Sequence, residues 1–242
     1  TYDGPLSSAV DGAQSAAFAA DGSLYVTGGF EDRIDFGGGT LISAGSRDIF
    51  LVQLSAAGNH LLSKRWGFTS YDQSSSLAML PDGDLLLAGT AGYPIDFGDG
   101  MVGTNPNVDT FLVRLSPQGV ARWSKRLYVN PSSVVYTAAA PDGSVWFTGD
   151  LNGAVDFGGG VRSSPTNHGL YSVHYAGSGA HLASYLIPSN GSAYVSSMAV
   201  DSTGQVLFGG QVGGTIDFGL GPTTAAAGSA YVLKQAATGQ VR

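Results

Sequence analysis

The triplet Asp-Phe-Gly occurs four times in this chain, beginning at Asp35, Asp96, Asp156 and Asp217, at spacings of 61, 60 and 61 residues. Two further landmarks keep the same register. Short turns sit at Asp21-Gly22, Asp82-Gly83, Asp142-Gly143 and Thr203-Gly204, and four apolar runs end at Gly58, Gly119, Gly179 and Gly239. Three independent landmarks in one register define four repeats of about 60 residues, and a repeat of that length limits the fold to arrays and rings of one supersecondary unit.

Within a repeat the apolar residues alternate with polar ones, and turn residues separate the runs. The first repeat reads "SAAFAA", an Asp-Gly turn, "SLYVTGGF", a long glycine-rich segment, "DIFLVQLS", a second turn at "AAGN", and "HLLSKRWG". We denote these strands a, b, c and d. Asp-Gly between alternating runs is a hairpin signal, because the turn requires a positive φ that glycine supplies cheaply. No stretch carries a helical apolar stripe. The expected fold is therefore all-β: a β-propeller of four blades, each of four antiparallel strands. The blades fall approximately at residues 7–67, 68–127, 128–187, and 188–242 together with 1–6, as one domain.

The register also predicts how such a ring closes. Aligned on the turn glycines, Arg242 falls on Leu61 and Thr1 on Leu62, so the outer strand lacking from the fourth repeat is "TYDGPL" from the other end. Closure of this kind removes the open sheet edge of a linear stack. The alternatives are a piece of a longer array, or half-rings that dimerise into eight blades, with a monomer preferred.

Composition narrows the function classes. Charged residues are 12% of the chain, 43% are hydrophobic, and 37 positions are glycine. The apolar residues lie in short runs, and none approaches the ~20 needed to span a membrane as a helix. The net charge is −7, with no basic cluster beyond Lys64-Arg65 and Lys125-Arg126, which argues against nucleic-acid partners. There is no cysteine for a disulfide frame or thiolate metal site. Few charges with abundant Ser, Thr and Gly fit an exported protein, periplasmic, extracellular or on the cell surface.

The stretch "DGSLYVTGGFEDRIDFGGGTLISAGSRDIFLVQLSAAGNHLLSKRWG" resembles the β-propeller repeats called SBBP, found in exported proteins of bacteria such as the myxobacteria. The matching features are the "DGxLYVTG" strand, the "xIDFGGG" segment, the "SAGxxDIFLVxLxxxG" strand and the closing "SKRWG". The likeness runs through all four repeats. The fourth departs most, lacking the "SKRW" strand and holding Ser229 where the first two have Asp48 and Asp109. The resemblance implies an exported β-propeller and no particular activity.

Asp35, Asp96, Asp156 and Asp217 could form a calcium ring, but a Phe follows each (Phe36, Phe97, Phe157, Phe218) and acidic neighbours are sparse, with Glu31 and Asp32 before the first. The preferred reading is structural: Asp bonds backbone N–H groups of its loop, Phe fills space between blades, and Gly supplies unusual backbone angles. Asp48 and Asp109 read as turn caps before strand c, and His60 and His181 as residues of solvated turns. The four histidines form no zinc pattern, no nucleophile elbow is present, and the glycine runs lack the Lys-Ser/Thr and helix of a phosphate loop. No metal or other cofactor is called for.

In a four-stranded meander the b–c and d–a connections share one face, and both are long and variable here. Variable loops on a rigid frame are where binding resides. The candidate ligand residues on that face are Tyr71, Asp72, Tyr128, Asn130, Asn190 and Tyr194, with Asp32 and Arg33 from a b–c segment. Tyr and Asn suit a glycan or protein ligand through stacking and directed hydrogen bonds. The expected function is a non-catalytic binding module. A propeller lyase or hydrolase with an axial site is the first alternative, opposed by small apolar a strands ("SAAFAA", "SSLAML", "YTAAA", "SSMAV"). A purely structural repeat of a larger surface protein is the second.

Overall fold

The computed structural model describes residues 11–102, 109–128, 135–236 and 238–239. Among them there is no helix, and nineteen strands form antiparallel sheets. The chain divides into two compact units, one comprising Thr1–Met79 and Gly83–Arg126, the other Leu80–Asp82 and Leu127–Arg242.

The first unit holds two four-stranded sheets. One contains β1 (Gly12–Phe18), β2 (Leu24–Phe30), β5 (Asp48–Leu54) and β6 (His60–Trp66), in that order; β3 (Arg33–Asp35) and β4 (Thr40–Ile42) form a separate two-stranded hairpin between β2 and β5. The other contains β7 (Asp72–Met79), β8 (Leu85–Ala91), β11 (Asp109–Leu115) and β12 (Ala121–Leu127), with β9 (Ile95–Asp96) and β10 (Met101–Val102) as its hairpin. The two sheets are linked side by side. Thr27 Oγ1 and Ser74 Oγ lie 2.7 Å apart, the Ser74 hydroxyl donates to Gly28 O at 3.0 Å, and the Leu77 N–H donates to Ser15 Oγ at 3.1 Å. The buried core runs from Tyr25, Leu51 and Trp66 of the first sheet to Leu85, Leu87 and Phe111 of the second.

In the second unit β13 (Tyr136–Ala139), β14 (Val145–Asp156), β15 (Val161–Tyr175) and β16 (His181–Pro188) make a four-stranded sheet, and β17 (Ala193–Val200), β18 (Val206–Asp217) and β19 (Pro222–Gln235) a three-stranded one. Trp146, Leu170 and Ile187 of the former share a core with Val195, Phe208 and Leu233 of the latter. The strand expected to complete the last sheet, Thr1–Leu6, lies outside the described residues.

The b–c segments differ from the loops expected of them. Each is a β-hairpin projecting from its sheet, and the Asp-Phe-Gly triplet turns its tip. In the second unit β14–β15 and β18–β19 run on into the arm through register shifts at Gly153 (φ 89°) and at Gly213, next to Gly214 (φ 87°). In the first unit the ladder is interrupted instead, at Glu31-Asp32, where Asp32 has φ 55°, and at Gly92-Tyr93-Pro94, where proline has no N–H to donate.

Candidate functional site

The hairpin tips have the same geometry four times. Asp35 Oδ1 accepts the N–H groups of Gly37 (2.7 Å) and Gly39 (3.3 Å). Asp96 holds Gly98 and Gly100 (2.7 and 3.2 Å), Asp156 holds Gly158 and Gly160 (2.7 and 3.0 Å), and Asp217 holds Gly219 and Gly221 (2.7 and 3.0 Å). All eight glycines have φ between 95° and 115°, a region that costs any other residue about 1–3 kcal/mol. The following aromatic ring docks on strand c of its own repeat: Phe36 on Phe50 at 4.9 Å, Phe97 on Phe111 at 5.0 Å, Phe157 on Tyr171 at 4.9 Å and Phe218 on Tyr231 at 5.2 Å. Phe97 also meets Trp66 of the preceding repeat at 5.7 Å. These carboxylates face their own loops one by one, and among the described residues no three His, Cys, Asp or Glu side chains converge on a common point.

Two readings of single residues are corrected. Asp48 and Asp109 are buried ion-pair partners as well as strand starts. Asp48 pairs with Arg65 and accepts the Ala44 N–H at 3.0 Å, while Asp109 pairs with Arg126 at 2.7 Å. Burial raises the Asp109 carboxyl above its ordinary range, and the Arg126 guanidinium opposes the rise. His60 and His181, expected on solvated turns, are half-buried at the starts of β6 and β16. Each imidazole covers the central glycine of a hairpin tip: a Cβ on Gly38 would lie 1.9 Å from His60 Cε1, and one on Gly159 2.2 Å from His181 Cε1.

Around the d–a connections the proposed ligand residues separate into two groups. Asp72 is only 1% exposed and serves the frame: its carboxylate accepts the Phe68 and Gly92 N–H groups, both at 2.9 Å, and its own N–H bonds Arg47 O. It is therefore not available to a ligand, and burial raises its pKa despite the two bonds. Asp32 carries the strained turn into β3, accepting the Ser43 N–H on its carbonyl at 2.8 Å, and pairs with exposed Arg33 at 3.4 Å. Asn190 is exposed, but its amide oxygen holds the Thr215 N–H at 2.6 Å and its N–H bonds Thr215 O, pinning the connection to β18. Asn130 lies outside the described residues.

The three tyrosines remain outward. Tyr71, Tyr128 and Tyr194 are 45%, 49% and 46% exposed, each at a d–a connection. Tyr71 is set by its surroundings. Its hydroxyl donates to Gln73 Oε1 at 2.5 Å, and the Arg47 guanidinium lies 5.6 Å from its ring centre. Arg47, which sequence reasoning missed, is 5% exposed and donates through Nη2 to Gly29 O at 3.1 Å. Tyr194 is anchored through its carbonyl, which accepts the Tyr231 hydroxyl at 3.2 Å. The Tyr71 ring, held in this way and half bare, can stack on a sugar or an apolar side chain at low entropic cost.

The described residues thus define an all-β protein of antiparallel sheets, with half-exposed tyrosines on its long connections. Comparison with protein-family models and with curated proteins returns no match to the chain. Among the described residues no helix is long and apolar enough to cross a membrane.

Proposed function

We propose that the four sheets are the blades of an SBBP-type β-propeller, completed by Thr1–Leu6 beside β19, and that the chain is a non-catalytic binding module of an exported or cell-surface protein. Its ligand is a glycan or a protein surface, held on the face that carries the hairpin arms and d–a connections. Support for the blades comes from within each unit: β7 lies against β1 and β2, and β17 against β13 and β14, as inner strands of neighbouring blades do. The observation that carries the binding reading is the near-equal exposure of Tyr71, Tyr128 and Tyr194.

A glycan array, with a pull-down from a bacterial envelope fraction, tests this reading. A specific ligand is expected, with affinity lost about tenfold or more in Tyr71→Ala or Tyr194→Ala, the scale of a buried aromatic contact. No ligand in either assay, or a ligand indifferent to all three tyrosines, overturns it.

A further inference from the structure

A cavity of about 470 Å³ opens between the two sheets of the first unit, at the end where the a–b and c–d turns lie. It is remote in the sheet from the long connections, being built from the tight turns. Its lining includes apolar Leu62, Met79 and Pro117 together with Tyr25, Gln53 and Asp21. Tyr25 is fixed there by donating its hydroxyl to Pro117 O at 2.9 Å. Gln53 is fixed by donating its amide to Ser23 Oγ at 3.0 Å.

The equivalent place in the second unit is built from different side chains. There Trp146 stands at the position of Tyr25, His174 at that of Gln53, and Val200 at that of Met79. The Trp146 and His174 rings stack 4.3 Å apart, 5° from parallel, and the indole is buried in the core that Val200 joins. Tyr25 and Gln53 replace that aromatic stack with a phenol and a flexible amide. The size is within the usual range for small-ligand sites, and the lining is an apolar base with a few convergent polar groups.

The charge of the lining sets the ligand class. No Lys, Arg or His lines the cavity. Asp21 stands at its rim, one carboxylate oxygen accepting the Ser23 N–H at 2.9 Å, and it has no cationic partner among the described residues. Hydrogen bonds from the Ser23 hydroxyl and N–H lower its pKa, so it stays ionised. We infer that this cavity binds a small amphipathic cation, a primary ammonium on an apolar chain or ring. The apolar part lies against Leu62 and Met79, and the ammonium lies toward Asp21.

Phenethylammonium and its neutral analogue phenethyl alcohol, titrated into the 15N-labelled protein, test the assignment. The ammonium is expected to shift the amides of Leu61, Leu62, Gly83 and Gln118 and to bind about tenfold more tightly than the alcohol. Asp21→Asn should erase that preference and leave the alcohol's affinity unchanged. The pair Tyr25→Trp and Gln53→His, which copies the stacked counterpart, should abolish both titrations; Leu62→Trp serves as an independent filling variant if the pair does not fold. Absence of shifts at these amides, equal affinity for the two probes, or binding that survives filling overturns the proposal. Because it concerns only the first unit and its tight turns, its failure leaves the tyrosine-face reading untouched.

Discussion

The Trp146 indole and the His174 imidazole are stacked at 4.3 Å with their planes 5° apart, and His174 Nε2 lies 2.8 Å from Ser144 Oγ. Burial lowers the His174 pKa below the ordinary value, and the nearby Asp142 carboxylate offsets only part of that. Unfolded histidine takes up its proton near pH 6.5, while the buried ring resists it. Stability from this group is therefore complete above about pH 6.5 and declines as pH falls through that value. Melting curves from pH 7.5 to 5 should show this decline in the wild type and a shallower one in His174→Phe. An unchanged pH profile in the variant would remove His174 as its source.

The Asp109–Arg126 pair is buried on both sides, so removing one partner strands a charge. Arg126→Met should cost about 3–5 kcal/mol, the scale for breaking such a pair. The loss should shrink as pH is lowered and Asp109 takes up a proton. The double variant Asp109→Leu with Arg126→Met should recover most of it. Urea unfolding of the wild type, both single variants and the double variant measures this, and full additivity of the two substitutions would rule out coupling.

Gly38 and His60 form a second coupled pair. No positive φ is recorded for Gly38, so the objection to a side chain there is the imidazole above it. Gly38→Ala should lower the melting temperature, and adding His60→Ala should restore it. Gly37→Ala, where φ is 98°, should cost about 1–3 kcal/mol and show no such rescue. Rescue of both glycine variants, or of neither, would contradict the contact.

If the proposed propeller is completed by Thr1–Leu6, deleting those residues leaves the edge of β19 without a partner. The melting temperature should fall by more than about 4 °C, the shift expected for 1–2 kcal/mol in a chain of this size. An unchanged value would rule out that completion.

The antiparallel sheets were legible because alternation and turn glycines are local signals, repeated four times in one register. The arms were harder to read. Whether residues such as "GGFEDRIDFGGGTLI" run as a loop or a hairpin depends on pairing across the tip, as between Arg33 and Ile42. The ion pairs join strands c and d at a separation of 17 residues, which no turn or alternation signal marks. A signal did exist: Asp48 with Arg65 and Asp109 with Arg126 recur together, whereas the third repeat replaces both members, by Gly169 and Leu186. Asp72 looked like a loop carboxylate because its role depends on backbone N–H groups brought from Phe68 and Gly92. The cavity beside Tyr25 is lined by residues from several separate turns and strands, among them Gln53, Met79 and Pro117, and periodicity cannot report that they meet.

Each hairpin tip keeps the bonds of its Asp within the turn, yet the residue at its centre does not have the same setting in all four repeats. Gly38 and Gly159 are covered by imidazoles, and Asp99 accepts the Ser124 hydroxyl at 2.9 Å. Leu220 is 78% exposed. The fourth arm is thus a natural site for engineering: a labelled or bulky side chain substituted at Leu220 would be displayed on a strand-paired stalk without removing the Asp217 bonds to Gly219 and Gly221.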